Sequence, residues 1–100
     1  MDALKLFQAW CQSECNGRWE RGYGAQIHML ADKPGWTVRI ELDGTSLTGK
    51  RFKELRRADR EMDWIHCRVH ESKFEGLGGP YMLEEILKVF LTWARQAGAT

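Results

Sequence analysis

Little in this chain could staple it or anchor it. Three cysteines in 100 residues cannot all pair with one another and are too few for a miniature scaffold held by disulfides, so a reducing compartment is predicted. Long apolar runs are absent. A stretch such as Val89-Phe90-Leu91 falls far below the roughly 18 residues of a membrane span. The N-terminus lacks the basic segment and apolar stretch of a signal peptide. These absences predict a cytoplasmic protein with no membrane partner. An excess of one charge sign is missing too, because 15 Lys and Arg face 14 Asp and Glu and leave a net of +1. That balance demands neither nucleic acid nor a charged membrane surface as partner.

What is present is the composition of an ordinary globular domain, since 43% hydrophobic and 29% charged residues argue against wholesale disorder. Residues 1–100 are read as one domain, and a chain of this size buries only about 60 to 70% of its unfolded surface. From Asp2 to Cys15, Leu4, Phe7, Cys11 and Cys15 recur at helical spacing, and Asp2 is placed to cap the N-terminus. From Tyr23 to Leu30 the period drops to two, with Tyr23, Ala25, Ile27 and Met29 opposite Gly24, Gln26 and His28. The turn residues Asp32-Lys33-Pro34-Gly35 then predict a hairpin. Its second strand alternates without fault, Trp36, Val38, Ile40 and Leu42 against Thr37, Arg39, Glu41 and Asp43.

Lys50 to Arg57 alternates imperfectly and reads as a bulged or edge strand. Trp64 to Glu71 reads as a fourth strand, with Ile65, Cys67 and Val69 inward. Gly76-Leu77-Gly78-Gly79 reads as a loop into Pro80 and a closing helix striped by Leu83, Ile86, Leu87, Phe90 and Ala94. The expected fold class is α+β in two layers, α-β-β-β-β-α. It is a four-stranded antiparallel meander with the N-terminal and C-terminal helices packed on one face. The other face stays open, showing Gln26, His28, Arg39, Glu41, Trp64, His66, Arg68 and His70.

Three chemistries can be weighed against that frame. His66 and His70 share a face but lie about 13 Å apart along a strand, and His28 could join His66 on a metal only from a neighbouring strand. Cys11 and Cys15, one helical turn apart, could share a zinc but lack further ligands, so no metal or cofactor is expected. His66 cannot activate the adjacent Cys67, because neighbours on a strand point to opposite faces. The glycine stretch fits neither standard phosphate-binding pattern, which leaves a small-molecule substrate disfavoured. The basic strip Lys50, Arg51, Lys53, Arg56, Arg57 and Arg60 could serve a nucleic acid, an acidic protein or the protection of an edge strand. Five tryptophans are more than a chain of this length usually carries. Trp10, Trp36 and Trp93 fit the core; Trp64 and Trp19 are harder to hide, Trp19 being expected to pack on something from its loop and Trp64, beside Arg68 on the open face, suiting a protein-binding patch.

Several motifs run together along the chain: Trp10 with Cys15-Asn16-Gly17, Trp19-Glu20, Tyr23-Gly24 and Pro34-Gly35-Trp36. Asp63-Trp64-Ile65-His66-Cys67 follows, then Lys73-Phe74-Glu75-Gly76 with Gly78-Gly79-Pro80, and Leu83-Glu84-Glu85-Ile86-Leu87. Together they resemble the immunity protein 53 family over nearly the whole chain. The sequence departs from that pattern at Asn16 and in the basic stretch Lys50 to Arg57, where more acidic residues are expected. The resemblance implies a bacterial antitoxin that binds a cognate toxin domain of a polymorphic toxin system, with no catalytic residues. In such a protein Trp64, His66 and Arg68 are expected to anchor the partner, with Trp19, Arg39, Glu41 and His28 around them. The loops 17–22 and 76–79 would flank the contact, and the free protein is expected to be a monomer or weak dimer. The competing expectations are a sulfurtransferase-related enzyme built on Cys67 and the histidines, and a nucleic-acid module using residues 50–60.

Overall fold

The computed structural model describes residues 2–98. Helix α1 (Ala3–Glu14) starts where Asp2 Oδ1 accepts the Lys5 N–H at 3.1 Å, satisfying one of the donors a helix leaves open at its start. Beyond its end, the Asn16 side-chain carbonyl accepts the N–H groups of Arg18 and Trp19, and the Glu20 carboxylate accepts those of Asn16 and Gly17. Backbone N–H groups of Glu20 itself, Asn16 and Gly17 hold the Glu20 carboxyl below the usual carboxylate range. The chain is thereby turned toward the sheet without a regular element.

Strands β1 (Ala25–Met29), β2 (Trp36–Glu41), β3 (Leu55–Ala58), β4 (Trp64–His70) and β5 (Lys73–Gly78) form one antiparallel sheet in the order β1-β2-β5-β4-β3. Helix α2 (Leu83–Gly98) closes the chain. The expected four-strand meander is therefore corrected: Lys73–Gly78 is a fifth strand, inserted between β2 and β4. It folds back from β4 through Glu71 and Ser72, both at positive φ (52° and 62°), the conformation of a two-residue hairpin turn. Neither residue belongs to the usual Asn-Gly or Asp-Gly signal.

Two of the glycines that suggested a loop, Gly76 and Gly78, are inward positions of β5. A Cβ at Gly76 would overlap Ile86 Cγ2 on α2 and approach Phe74 Cε2 to 3.1 Å. Glycine here is the residue that lets a helix lie close on a strand. The third expected strand also changes, since only Leu55–Ala58 of Lys50 to Arg57 pairs with β4. The preceding segment straps across the helix layer instead: the Trp93 indole N–H donates to the Arg51 carbonyl at 2.7 Å, and the Phe52 ring meets Phe74 and Trp93 edge-on.

The core lies between one face of the sheet and α2. Val38, Ile40, Ile65, Cys67 and Phe74 from the strands meet Ile86, Leu87, Phe90 and Trp93 from the helix, all buried. Each large side chain removed from water there contributes roughly 1.5–3 kcal/mol before the entropy of ordering it is counted. Helix α2 lies over β2, β4 and β5, while α1 docks chiefly on α2, where Phe7 and Trp10 pack edge-on against Phe90. Both helices thus add to one side of the sheet. The stretch between β2 and β3 also buries Leu42, Thr45 and Leu47, with the Thr45 hydroxyl donating to the Leu42 carbonyl.

Candidate functional site

Antiparallel pairing puts directly opposed residues on the same face, so register decides which side chains meet. On the face away from the helices, His28, Thr37, Leu77 and His66 form one row across β1, β2, β5 and β4. Gln26, Arg39, Glu75 and Arg68 form the next row, and Glu41, Lys73 and His70 a third. Trp64 stands on the same face opposite Ala58 of β3. Alternation thus brings His28, Arg39, Glu41, Trp64, His66 and Arg68 together. It could not supply Glu75, Leu77 and Lys73, because β5 was not recognised as a strand.

Glu75 is the hinge of the face. Its side chain is 19% exposed, it accepts the Arg68 Nε–H at 3.0 Å, and Arg39 Nε stands 3.8 Å away on the other side. One central carboxylate therefore orients two guanidinium groups from the strands that flank it. Lys73 pairs with Glu41 at 3.6 Å in the row below. His66 Nε2 lies 2.7 Å from Glu54 Oε2. That bond, together with the charges of His66, Arg56 and Arg68, holds the Glu54 carboxyl below its ordinary range. An ionised carboxylate only accepts, so His66 presents its Nε2–H to it. Such exposed pairs are worth only about 0–1 kcal/mol each. Their effect is to fix side-chain directions: with Nε engaged, the terminal N–H groups of Arg68 are left to bind a carbonyl or carboxylate.

At one end of the face the Lys33 ammonium sits 4.3 Å above the Trp64 ring. Lys33 comes from the turn between β1 and β2, which lies at the same end of the sheet as the start of β4. A groove of about 520 Å³ opens beside it, bordered by Lys33, Trp64 and the β3 edge. The face as a whole carries aromatic, imidazole and guanidinium groups in fixed orientations, the residue types that concentrate binding energy in protein interfaces.

The profile of the family described as Immunity protein 53 matches residues 4–95. The chain belongs to the immunity protein 53 family. No curated protein and no solved structure matches it. Immunity proteins in general have a toxin protein as partner and are not enzymes.

Placed in this family member, the remaining expected residues divide. Trp19, expected near the contact, is 7% exposed and belongs to the interior. Its ring covers Gly24, where any Cβ would overlap it, packs edge-on with Trp10 at 5.6 Å, and donates its indole N–H to the Glu41 carbonyl at 2.8 Å. A tryptophan in a polar connection is hidden because a strand-end carbonyl satisfies its one polar atom. The flanking stretch 76–79 is likewise no surface loop, since Gly76, Gly78 and Gly79 are buried.

Cys67 lies on the core face with 0% exposure, and burial, aided by the Glu85 carboxylate, pushes its thiol up to about 12. His66 points to the opposite face. Burial, with a smaller contribution from Cys15, likewise raises the Cys11 thiol to about 11. Cys15 Sγ donates to the Cys11 carbonyl at 3.3 Å. His28 and His66 are separated by two intervening strands, roughly 14 Å. Among the described residues no three His, Cys, Asp or Glu side chains gather as a metal site. No helix among the described residues is long and apolar enough to cross a membrane.

Proposed function

We propose that this chain neutralises a cognate toxin domain of a bacterial polymorphic toxin system, in the cytoplasm, by binding it stoichiometrically and occluding it with the open face of the sheet. One observation carries the reading: the Arg39–Glu75–Arg68 ladder and Trp64 lie on the face the helices leave uncovered, with their side chains held in place before any partner arrives. Groups already oriented by a neighbour lose less entropy on binding, which favours association. Trp64, His66 and Arg68 anchor the partner, Arg39, Glu41 and His28 extend the contact, and Glu75 sets the direction of the two arginines.

An enzyme built on Cys67 is disfavoured by the burial of that thiol and by the placement of His66 on the other side of the sheet. A nucleic-acid module is disfavoured because the basic strip is divided: Lys53 lines a groove beside α2, whereas Arg56, Arg57 and Arg60 line the one beside Trp64.

The test is calorimetric titration of the chain with the toxin domain encoded beside it. Trp64→Ala and Arg68→Ala together should weaken binding by about a hundredfold or more, as expected when interface anchors are removed. Unchanged affinity in the double variant would show that another surface makes the contact.

A further inference from the structure

The groove beside Trp64 has a chemistry of its own. It has a volume of about 520 Å³, comparable with sites that hold small ligands or short peptide stretches. Four cations, Lys33, Arg56, Arg57 and Arg60, border it with Trp64 and His66, while Glu61 is the one acidic residue lining it among those described. Two of the cations already hold carboxylates from their own segment: Arg57 pairs with Asp59 at 3.0 Å and Arg56 with Glu54 at 3.7 Å. Lys33 and Arg60 are in no ion pair among the described residues, and Lys33 is parked on the Trp64 ring. The groove is thus a row of carboxylate-binding positions, half of them filled from within. The Trp64 ring gives the lining its apolar surface.

We propose that this groove receives an acidic segment of the partner toxin, with carboxylates on Lys33 and Arg60 and an apolar side chain against Trp64. The inference rests on the reading that the open face is the toxin-binding surface, and it names the chemistry of the toxin at one end of that surface. Charge complementarity selects the occupant. A nucleic acid fits less well, because base stacking needs an open aromatic face and Trp64, the one indole lining the groove among the described residues, is already topped by the Lys33 ammonium. The contact is therefore with an acidic peptide surface, which gives the complex a salt-dependent association rate that the paired charges of the central face do not predict.

The experiment uses the full chain, two probes and the neighbouring toxin domain. A capped hexaglutamate peptide is titrated at low salt and followed by amide and indole NMR signals, with a short oligothymidylate as the rival polyanion. Lys33→Glu and Arg60→Glu, exposed turn substitutions whose folding is checked by circular dichroism, are compared with wild type. The expected result is hexaglutamate-induced shifts confined to Lys33 and residues 56–66. Each charge reversal should weaken both peptide and toxin by about tenfold and flatten the salt dependence. Shifts that are absent or spread over the whole surface would overturn the proposal, as would tighter binding of oligothymidylate in the same groove. If Trp64→Ala with Arg68→Ala abolishes toxin binding but the charge reversals change nothing, this inference fails alone. If wild type does not bind the toxin, the underlying reading fails and takes the inference with it.

Discussion

Replacing Gly76 with alanine sets two physical effects of opposite sign against each other. Taken as a strand residue, glycine costs backbone entropy, and alanine should stabilise the chain by about 0.5–1 kcal/mol. The structure predicts the reverse. Ile86 Cγ2 occupies the place of the new methyl, Phe74 Cε2 stands 3.1 Å from it, and both neighbours are fully buried. Ile86 Cγ2 hangs on a branched β-carbon in the first turn of α2 and is fully buried, so it cannot swing aside as a flexible side-chain end could. Forcing one methyl into such a site costs about 1–3 kcal/mol. Set against the entropic gain, the net is a destabilisation of up to about 2.5 kcal/mol and of about 1 kcal/mol at mid-range, where the melting temperature falls by roughly 4 to 8 °C for a domain of this size. Urea unfolding of the Gly76→Ala variant measures it. Ile86→Ala alone should cost about 2–5 kcal/mol, and the double variant should fall short of the summed losses by about 1 kcal/mol or more, because removing the branch makes room for the methyl. A Gly76→Ala protein as stable as wild type, or additive behaviour of the pair, would refute the close approach of α2 to β5.

Other expectations follow from named contacts. Thiol labelling of the native chain should modify exposed Cys15 first, Cys11 more slowly and Cys67 only on unfolding; native labelling of Cys67 at the rate of Cys15 would contradict its burial. Because the Glu54 carboxyl is held below 4.5, its pairing contributes above the unfolded value and is lost as pH falls through the lowered one. An NMR titration of its side-chain carboxyl should show that low midpoint, and His66→Ala should raise it; an ordinary midpoint in wild type would remove the pairing. Trp19→Phe removes the indole N–H that satisfies the Glu41 carbonyl and leaves a void where the larger ring packed on Gly24, so unfolding free energy should drop by about 1–3 kcal/mol, whereas a surface tryptophan would tolerate the change.

Much of the fold was legible because the apolar pattern was strong. β2 alternates fully, the α1 cap is an aspartate before a clear stripe, and the open face follows from the two-residue period of β1, β2 and β4. β5 escaped because two of its inward residues are glycines, whose reason lies in a helix encountered later in the chain. Lys73, Glu75 and Leu77 do alternate with Phe74, Gly76 and Gly78, so reading glycine as a permissible core residue would have found the strand and with it Glu75. Trp19 was misread since sequence shows its polar surroundings and not the distant carbonyl that lets it go inside. The basic groove was half visible: Arg56, Arg57 and Arg60 are close in sequence, but Lys33 reaches them only through the tertiary fold.

The central claim is that the uncovered sheet face makes the contact, and hydroxyl-radical footprinting of the chain, free and bound to the neighbouring toxin domain, tests it most directly. The account predicts protection of Trp64, His66 and Leu77 on complex formation, with no change at Leu4 and Leu6, which are exposed on α1 in the helix layer. Protection of those two residues with Trp64 unaltered would contradict it.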